Sequence, residues 1–163
     1  MNAPPMIAIT AAPIEETLRA APGVGLAAPQ IGESIQLAVI EDRIDYLEEM
    51  SPEKLAELQR SPVDFHVIIN PNLTTIGKTV LAFFEGCLSV AGFAAVVPRA
   101  QSVRVECLNE RAEPITITAH GWYARILQHE IDHLNGTLYI DRMQTRTFTS
   151  VDNTARNSSQ DSR

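Results

Sequence analysis

The sequence predicts an α+β fold. Short apolar runs of strand length dominate the chain, two of them alternate around a polar turn as an antiparallel hairpin, and one helical pattern stands alone near residue 130. At 163 residues the chain is long enough for one domain with a proper core.

The elements follow in order. "PIEETLRAA" (13–21) predicts a short helix with acidic residues in its first turn, where they suit the helix dipole. "GVGLAAPQIG" (23–32) reads as a Gly-rich turn into a strand, and "IQLAVI" (35–40) as a strand. Residues 41–62 form an acidic insertion read as a solvated face, in which Ser51-Pro52-Glu53 is the cap and first turn of a helix. "FHVIIN" (65–70) predicts a strand that "PNL" turns, and "KTVLAFFEG" (78–86) a strand leading to Cys87. "QSVRVECLN" (101–109) and "EPITITAHG" (113–121) make the hairpin, with Cys107 facing the core beside Val103 and Val105. A helix over 121–134 ends at Asn135-Gly136, and "TLYID" predicts a short strand. From 144 to 163 the Ser/Thr/Asn-rich composition predicts a disordered polar tail.

Composition excludes several classes. Hydrophobic residues make up 45% of the chain, which argues for a globular fold over disorder. The net charge of −7 argues against direct nucleic-acid binding and against anionic membranes. No apolar run approaches the roughly 18 residues that span a bilayer. The first residues lack the basic region of a secretory signal and the arginines of a transit peptide. Two cysteines make no disulfide framework.

The chemistry concentrates in "ILQHEIDHLNG" (126–136). His129 and His133 stand four apart, so a helix stacks them on one face where they can share a divalent ion, with Glu130 beside it. An open catalytic site needs a third protein ligand. Tyr139 stands where one common pattern has a further histidine, and Glu130 is the last glutamate in the chain. The third ligand therefore comes from upstream, or Asp141 serves. Upstream, Cys87 is flanked by Glu85, Gly86 and Ser89, an odd setting for a core cysteine.

Taken together, "GVGLAAPQ", "EGCLS" and "QHEIDHLNG" occur in the order and at the distances of the three signature motifs of the peptide deformylases, and the chain resembles that family from position 21 to about 143. "FFEGCLSVAGF", "GWYARILQHE" and "MQTRTFTSVDN" are most similar to its mitochondrial and plant-organelle branch. The resemblance implies antiparallel sheets packed around a central metal-binding helix, in a single catalytic domain over 1–143. It implies Cys87, His129 and His133 as metal ligands and Glu130 as general acid and base. The side chain of Gln30 and the backbone N–H of Leu88 are the implied oxyanion donors. Gly25 is implied to hydrogen-bond an extended peptide, and Val24, Phe83, Trp122, Ile126 and His129 to wall a methionine pocket. The implied ion is iron(II), with zinc, nickel or cobalt as substitutes, and the implied substrate is the N-formylmethionyl end of a nascent chain. A thiolate ligand must stay reduced, which points to the cytoplasm, or to the mitochondrial matrix or plastid if a start is missing. Only 22 residues precede Gly23, fewer than the family usually carries. The end lacks the long basic helix by which bacterial members dock on the ribosome, so only transient ribosome proximity is expected. His66 and His120 receive no role, and His120 reads as a loop residue. The competing readings are a His-Glu-x-x-His peptidase and a metal-stabilised binding module.

Overall fold

The computed structural model describes residues 6–158. Its centre is a five-stranded antiparallel sheet in the order β1 (Gly25–Ala27), β2 (Leu37–Asp42), β3 (Val63–Thr75), β6 (Ser102–Leu108), β7 (Pro114–His120). A smaller antiparallel sheet runs β4 (Val80–Gly86), β5 (Phe93–Ala100), β8 (Thr149–Ser150). Helix α4 (Gly121–Leu134) lies against the large sheet and also meets β5 of the small one.

Both faces of β2 are covered, which explains its unbroken apolar run. Ala38 and Ile40 join Ile126, Leu127, Ile131 and Leu134 of α4 in one core. Leu37 and Val39 face the other way, onto Ile14 and Leu18 of α1 (Met6–Arg19). Along β6, Val103, Val105 and Cys107 are buried under α4 while Arg104 and Glu106 alternate outward to solvent. Each large apolar side chain so buried stabilises the fold by about 1.5–3 kcal/mol.

Several elements depart from the sequence reading. Helix α1 begins at Met6 and carries Pro13 inside it, whereas Pro13 reads in sequence as a helix start. "PNL" does not turn the chain: β3 continues through it on a bulge at Asn70, pairing first with β2 and then with β6. Pro71 sits in that irregularity, where its missing N–H breaks no regular ladder. The strand β5 has no counterpart in the sequence reading, and its Pro98 is tolerated because β8 pairs only with Phe93 and Ala94. "TLYID" is a single 3-10 turn, Tyr139–Asp141, with Tyr139 buried against Ala95 and Val97. His120 is the last residue of β7 and bonds Ser102 at 2.7 Å.

The tail expected to be disordered folds back through residue 158. The Gln144 N–H donates to the Val96 carbonyl at 2.9 Å, and the Val96 N–H donates to Thr147 Oγ1 at 2.8 Å. β8 then pairs with β5, and α5 (Val151–Ser158) follows. These polar residues serve an otherwise open stretch of β5, a role that composition does not reveal. Positions 159–163 of the expected tail lie outside the described residues.

The acidic insertion carries α2 (Ile44–Glu48) and α3 (Pro52–Leu58), the latter capped by Ser51 as its sequence predicts. It is not only a solvated face. Its end packs on the start of α4, where Gly121 adopts φ +57° and a Cβ would fall 2.5 Å from Gln59 Cβ and 2.6 Å from the Gln59 carbonyl. Gly121→Ala combines left-handed strain of about 1–2 kcal/mol with overpacking of about 1–3 kcal/mol. Urea unfolding is expected to show a loss of about 2–4 kcal/mol, and a loss under about 0.5 kcal/mol would contradict this seating of the helix.

Candidate active site

Strand β4 delivers Cys87, held extended at φ −147° and ψ 141° at the head of a 3-10 turn. Helix α4 delivers the two histidines one turn apart. Cys87 Sγ lies 3.2 Å from His133 Nε2, and the two Nε2 atoms lie 3.2 Å from each other. All three candidate ligand atoms fall within 4.8 Å of one another. Ligand atoms around one tetrahedral ion at ordinary bond lengths stand about 3.3–3.6 Å apart, so this group suits a single divalent ion with little adjustment. Asp141, the other candidate for third ligand, caps its own turn by accepting from the Leu138 N–H at 2.8 Å.

The electrostatics favour the liganding form of the sulfur. Burial alone would raise the Cys87 thiol, but hydrogen bonds from His129, His133 and the Ser89 N–H bring it down to about 5. Burial likewise disfavours a charged His129, but its bonds to Cys87 and Glu85 carry it up to about 10. Both shifts favour a thiolate held by imidazole N–H donors, and a divalent cation can take the place of the shared proton.

Behind the histidines lies a buried charge network that sequence reading missed. His129 Nδ1 bonds Glu85 Oε2 at 3.0 Å, which turns Nε2 toward Cys87. Glu85 also accepts two bonds from Arg99, both at 2.9 Å, and one from Arg125 at 2.6 Å. Arg99 reaches on to Asp132, which Arg142 holds from outside with bonds of 2.6 and 2.8 Å. Burial opposes the charge on Glu85, but His129 and Arg99 win and hold its carboxyl at about 2. The available signal was positional: Arg125 and Asp132 lie four before and three after His129 on its helix, and Glu85 stands two before Cys87.

Glu130 is 3% exposed and its Oε2 has no hydrogen-bond partner among the described residues. Burial is the main cause that drives its carboxyl up to about 7, against the pull of the neighbouring histidines. Gly25 gives this carboxylate its room, since a Cβ there would sit 2.4 Å from Glu130 Oε1. Gly25 lies on β1, an edge of the large sheet. Gln30 is fixed by accepting from the Ala27 N–H at 2.8 Å, which aims its amide nitrogen at Ser89 Oγ (3.1 Å) and toward Cys87 Sγ (3.8 Å).

These groups open on one cavity of about 530 Å³. It is lined by Val24, Gly25, Gln30, Cys87, Leu88, Trp122, Ile126, His129 and Glu130 of the sequence-based set. Phe83 and His133 are the exceptions: His133 stands behind Cys87 and His129, 3.2 Å from each, rather than on the lining. Phe83 lies elsewhere. It points to the inner side of β4, into a small separate pocket under the Arg125 guanidinium, and its strand neighbour Phe84 lines the cavity instead. Motif spacing fixed the position of Phe83 along the chain but not which pocket its side chain enters. His66 bonds Tyr123 at 2.9 Å on the helix, in a cluster distinct from the cavity lining.

Comparison with known proteins bears on this arrangement. A family model described as polypeptide deformylase matches residues 5–148. The chain is 49% identical over 138 residues to peptide deformylase 1A, chloroplastic, of Solanum lycopersicum, covering 85% of this chain and 50% of that protein. It is 44% identical over 128 residues to the mitochondrial peptide deformylase of Homo sapiens, covering 78% of this chain and 53% of that protein. The chain thus spans about half the length of these two relatives. Among solved structures, the Met-Ala-Ser-bound class I type b peptide deformylase from Acinetobacter baumannii matches with a TM-score of 0.74 at 30% identity, covering 88% of this chain and 84% of that one.

The two cysteines separate liganding from packing. Cys107 is a core residue whose thiol burial pushes up, away from the thiolate form. Cys87→Ala is expected to abolish tight binding of a divalent ion, and Cys107→Ala to leave it intact. Metal titration showing equal affinity in the two variants would remove Cys87 from the ligand set.

Proposed function

The chain belongs to the polypeptide deformylase family, and we propose that it hydrolyses the N-formyl group of peptides beginning with N-formylmethionine, releasing formate and a free α-amine. The observation that carries this reading is that Cys87 and His129, grouped with His133 behind them, share one cavity with Glu130 and Gln30. Cys87, His129 and His133 would hold one divalent ion. When bound, that ion supplies Lewis acidity and lowers the pKa of water toward about 7.

Glu130 takes a proton from the attacking water and passes it to the leaving amine. Its burial and its unpartnered Oε2 suit a carboxylate that trades a proton near neutrality. The negative charge that develops on the formyl oxygen accepts hydrogen bonds from the Gln30 amide and the Leu88 N–H, and one such donor is typically worth about 3 kcal/mol. The Ala27 N–H holds Gln30 in a donating orientation before substrate arrives. Gly25, on an edge strand, bonds the peptide backbone in an extended mode. Val24, Trp122 and Ile126 wall the pocket for the methionine side chain.

We read iron(II) as the native ion, with zinc, nickel or cobalt as substitutes. Raw affinity of a Cys-His-His set favours zinc over iron(II), so protein handled in air is expected to carry zinc. A thiolate ligand supports action in a reducing compartment: the cytoplasm, or the mitochondrial matrix or plastid of an organelle-targeted form. No helix among the described residues is long and apolar enough to cross a membrane. The protein partner is the nascent formylated chain, met in transient proximity to the ribosome.

Glu130→Gln is expected to retain metal and fold and to lose at least about a hundredfold in formate release from formyl-Met-Ala-Ser, measured with iron kept reduced. Near-native turnover in metal-replete variant would sink the mechanism. Substrate series separate the side-chain pocket from the reacting centre. Norleucine keeps the shape of methionine, so kcat/KM should change little. Alanine forfeits about 1.5–3 kcal/mol of burial, a fall of roughly ten- to a hundredfold. An acetyl in place of formyl should cost far more, because its methyl meets the fixed groups around the reacting carbon. Comparable hydrolysis of acetyl-Met and formyl-Met peptides would contradict this assignment.

A further inference from the structure

We propose that Asp42 and Arg60 are positioning residues that fix the Trp122 wall of the cavity and thereby set its selectivity among apolar side chains. This rests on the functional reading above for the identity of the ligand, but the positioning itself does not. Trp122 is the chain's single tryptophan and lines the cavity at the first turn of α4. Its Nε1 is buried and has no hydrogen-bond partner among the described residues. No polar anchor at the ring therefore fixes the indole, and stacking and packing must do so.

Two guanidiniums stand over that ring. Arg60 Cζ lies 5.3 Å from its centroid and Arg125 Cζ lies 5.7 Å from it. Two cations beside one ring repel each other unless each has its own carboxylate. Arg125 has Glu85. Arg60 has Asp42, which it grips with two bonds of 2.8 Å while the third nitrogen contacts Met50 Sδ at 3.5 Å. Asp42 is 1% exposed and closes β2, so the large sheet is the anchor. Every nitrogen of Arg60 thus has a partner, and neither Asp42 nor Met50 lines the cavity. Its place on the cavity lining is that of a plate behind Trp122, not of a group that binds a substrate charge. The backbone agrees: Gln59, the residue before Arg60, touches the start of α4 through the Trp122 N–H at 3.5 Å and leaves no space for a Cβ at Gly121. The insertion 41–62 is the device that brings this plate to the pocket.

A held indole keeps that wall of the pocket in one place, and a fixed wall favours a thin unbranched side chain over a broad one. Asp42→Asn releases Arg60. The double variant Asp42→Asn with Arg60→Met removes both charges at similar volume, so no orphan charge is left in the core. Both are compared with the wild type as metal-loaded full-length protein. Trp122 emission and anisotropy report the ring directly, because no other tryptophan contributes. Binding of the product peptides Met-Ala-Ser and Phe-Ala-Ser reads selectivity without turnover. Formate release from formyl-Met and formyl-Phe peptides reads it with turnover.

The expected result is a shifted emission, a lower anisotropy and a Phe-to-Met preference raised about fivefold, the equivalent of one partly buried cation–π contact. In turnover the change sits in KM. Wild-type emission and selectivity in a folded variant overturn the proposal. A changed emission with unchanged selectivity in both assays overturns the specificity role. A wild type that releases no formate overturns the functional reading instead, and the emission and peptide-binding comparisons still decide the positioning of Trp122.

Discussion

One buried carboxylate holds the site together. Glu85 leaves β4 two residues before Cys87 and meets Arg99 of β5, Arg125 of α4 and the Nδ1 of His129. The strand that delivers the sulfur and the helix that delivers the histidines are locked through the same carboxylate. Burying such charges is costly, and breaking one partner of a buried pair typically costs about 3–5 kcal/mol because the other is left uncompensated. Here the arrangement gains specificity from that cost. With Glu85 in place, His129 has one orientation, and its Nε2 faces Cys87 and His133.

Helix α4 accommodates these demands by dividing its circumference. Ile126, Leu127, Ile131 and Leu134 fill the core under the large sheet. His129 and His133 point to the sulfur, while Arg125 and Asp132 point to the charge network. Glu130 is enclosed and faces the space that Gly25 leaves on β1. A helix buried on so many sides cannot use solvent to satisfy its polar groups, so Arg125, His129, Asp132 and His133 each have a protein partner, while Trp122 Nε1 and Glu130 Oε2 have none among the described residues. The orphaned Oε2 of Glu130 is the group that the proposed mechanism uses.

The cavity beside it is shaped by elements distant in sequence. The turn at Gln30, the edge strand at Gly25, the start of α4 and the end of the insertion all contribute to one wall or another. The small sheet is completed by β8 from the polar end of the chain, and Val151 just after it also lines the cavity. A segment that composition marks as solvent-loving therefore borders the site.

The sequence by itself determined which residues make up the candidate site. The four-residue spacing of His129 and His133, the adjacent Glu130 and the setting of Cys87 required only helical periodicity and ligand chemistry to interpret, and the three motifs extended this to Gln30, Leu88 and Gly25. The α+β class, the hairpin of β6 and β7 and the metal helix were legible for the same reason: their information is local and periodic. What only the tertiary structure decided depends on contacts between distant residues. β3 runs through Pro71 because a bulge and two different partners accept it, and β5 carries Pro98 because its other side is unpaired there. Phe83 faces away from the cavity because of the sheet's placement, not its spacing from Cys87. Glu85, Arg99 and Asp132 look in sequence like ordinary surface charges. Only the fold encloses them together, where the loss of water makes each one's partner decide its role.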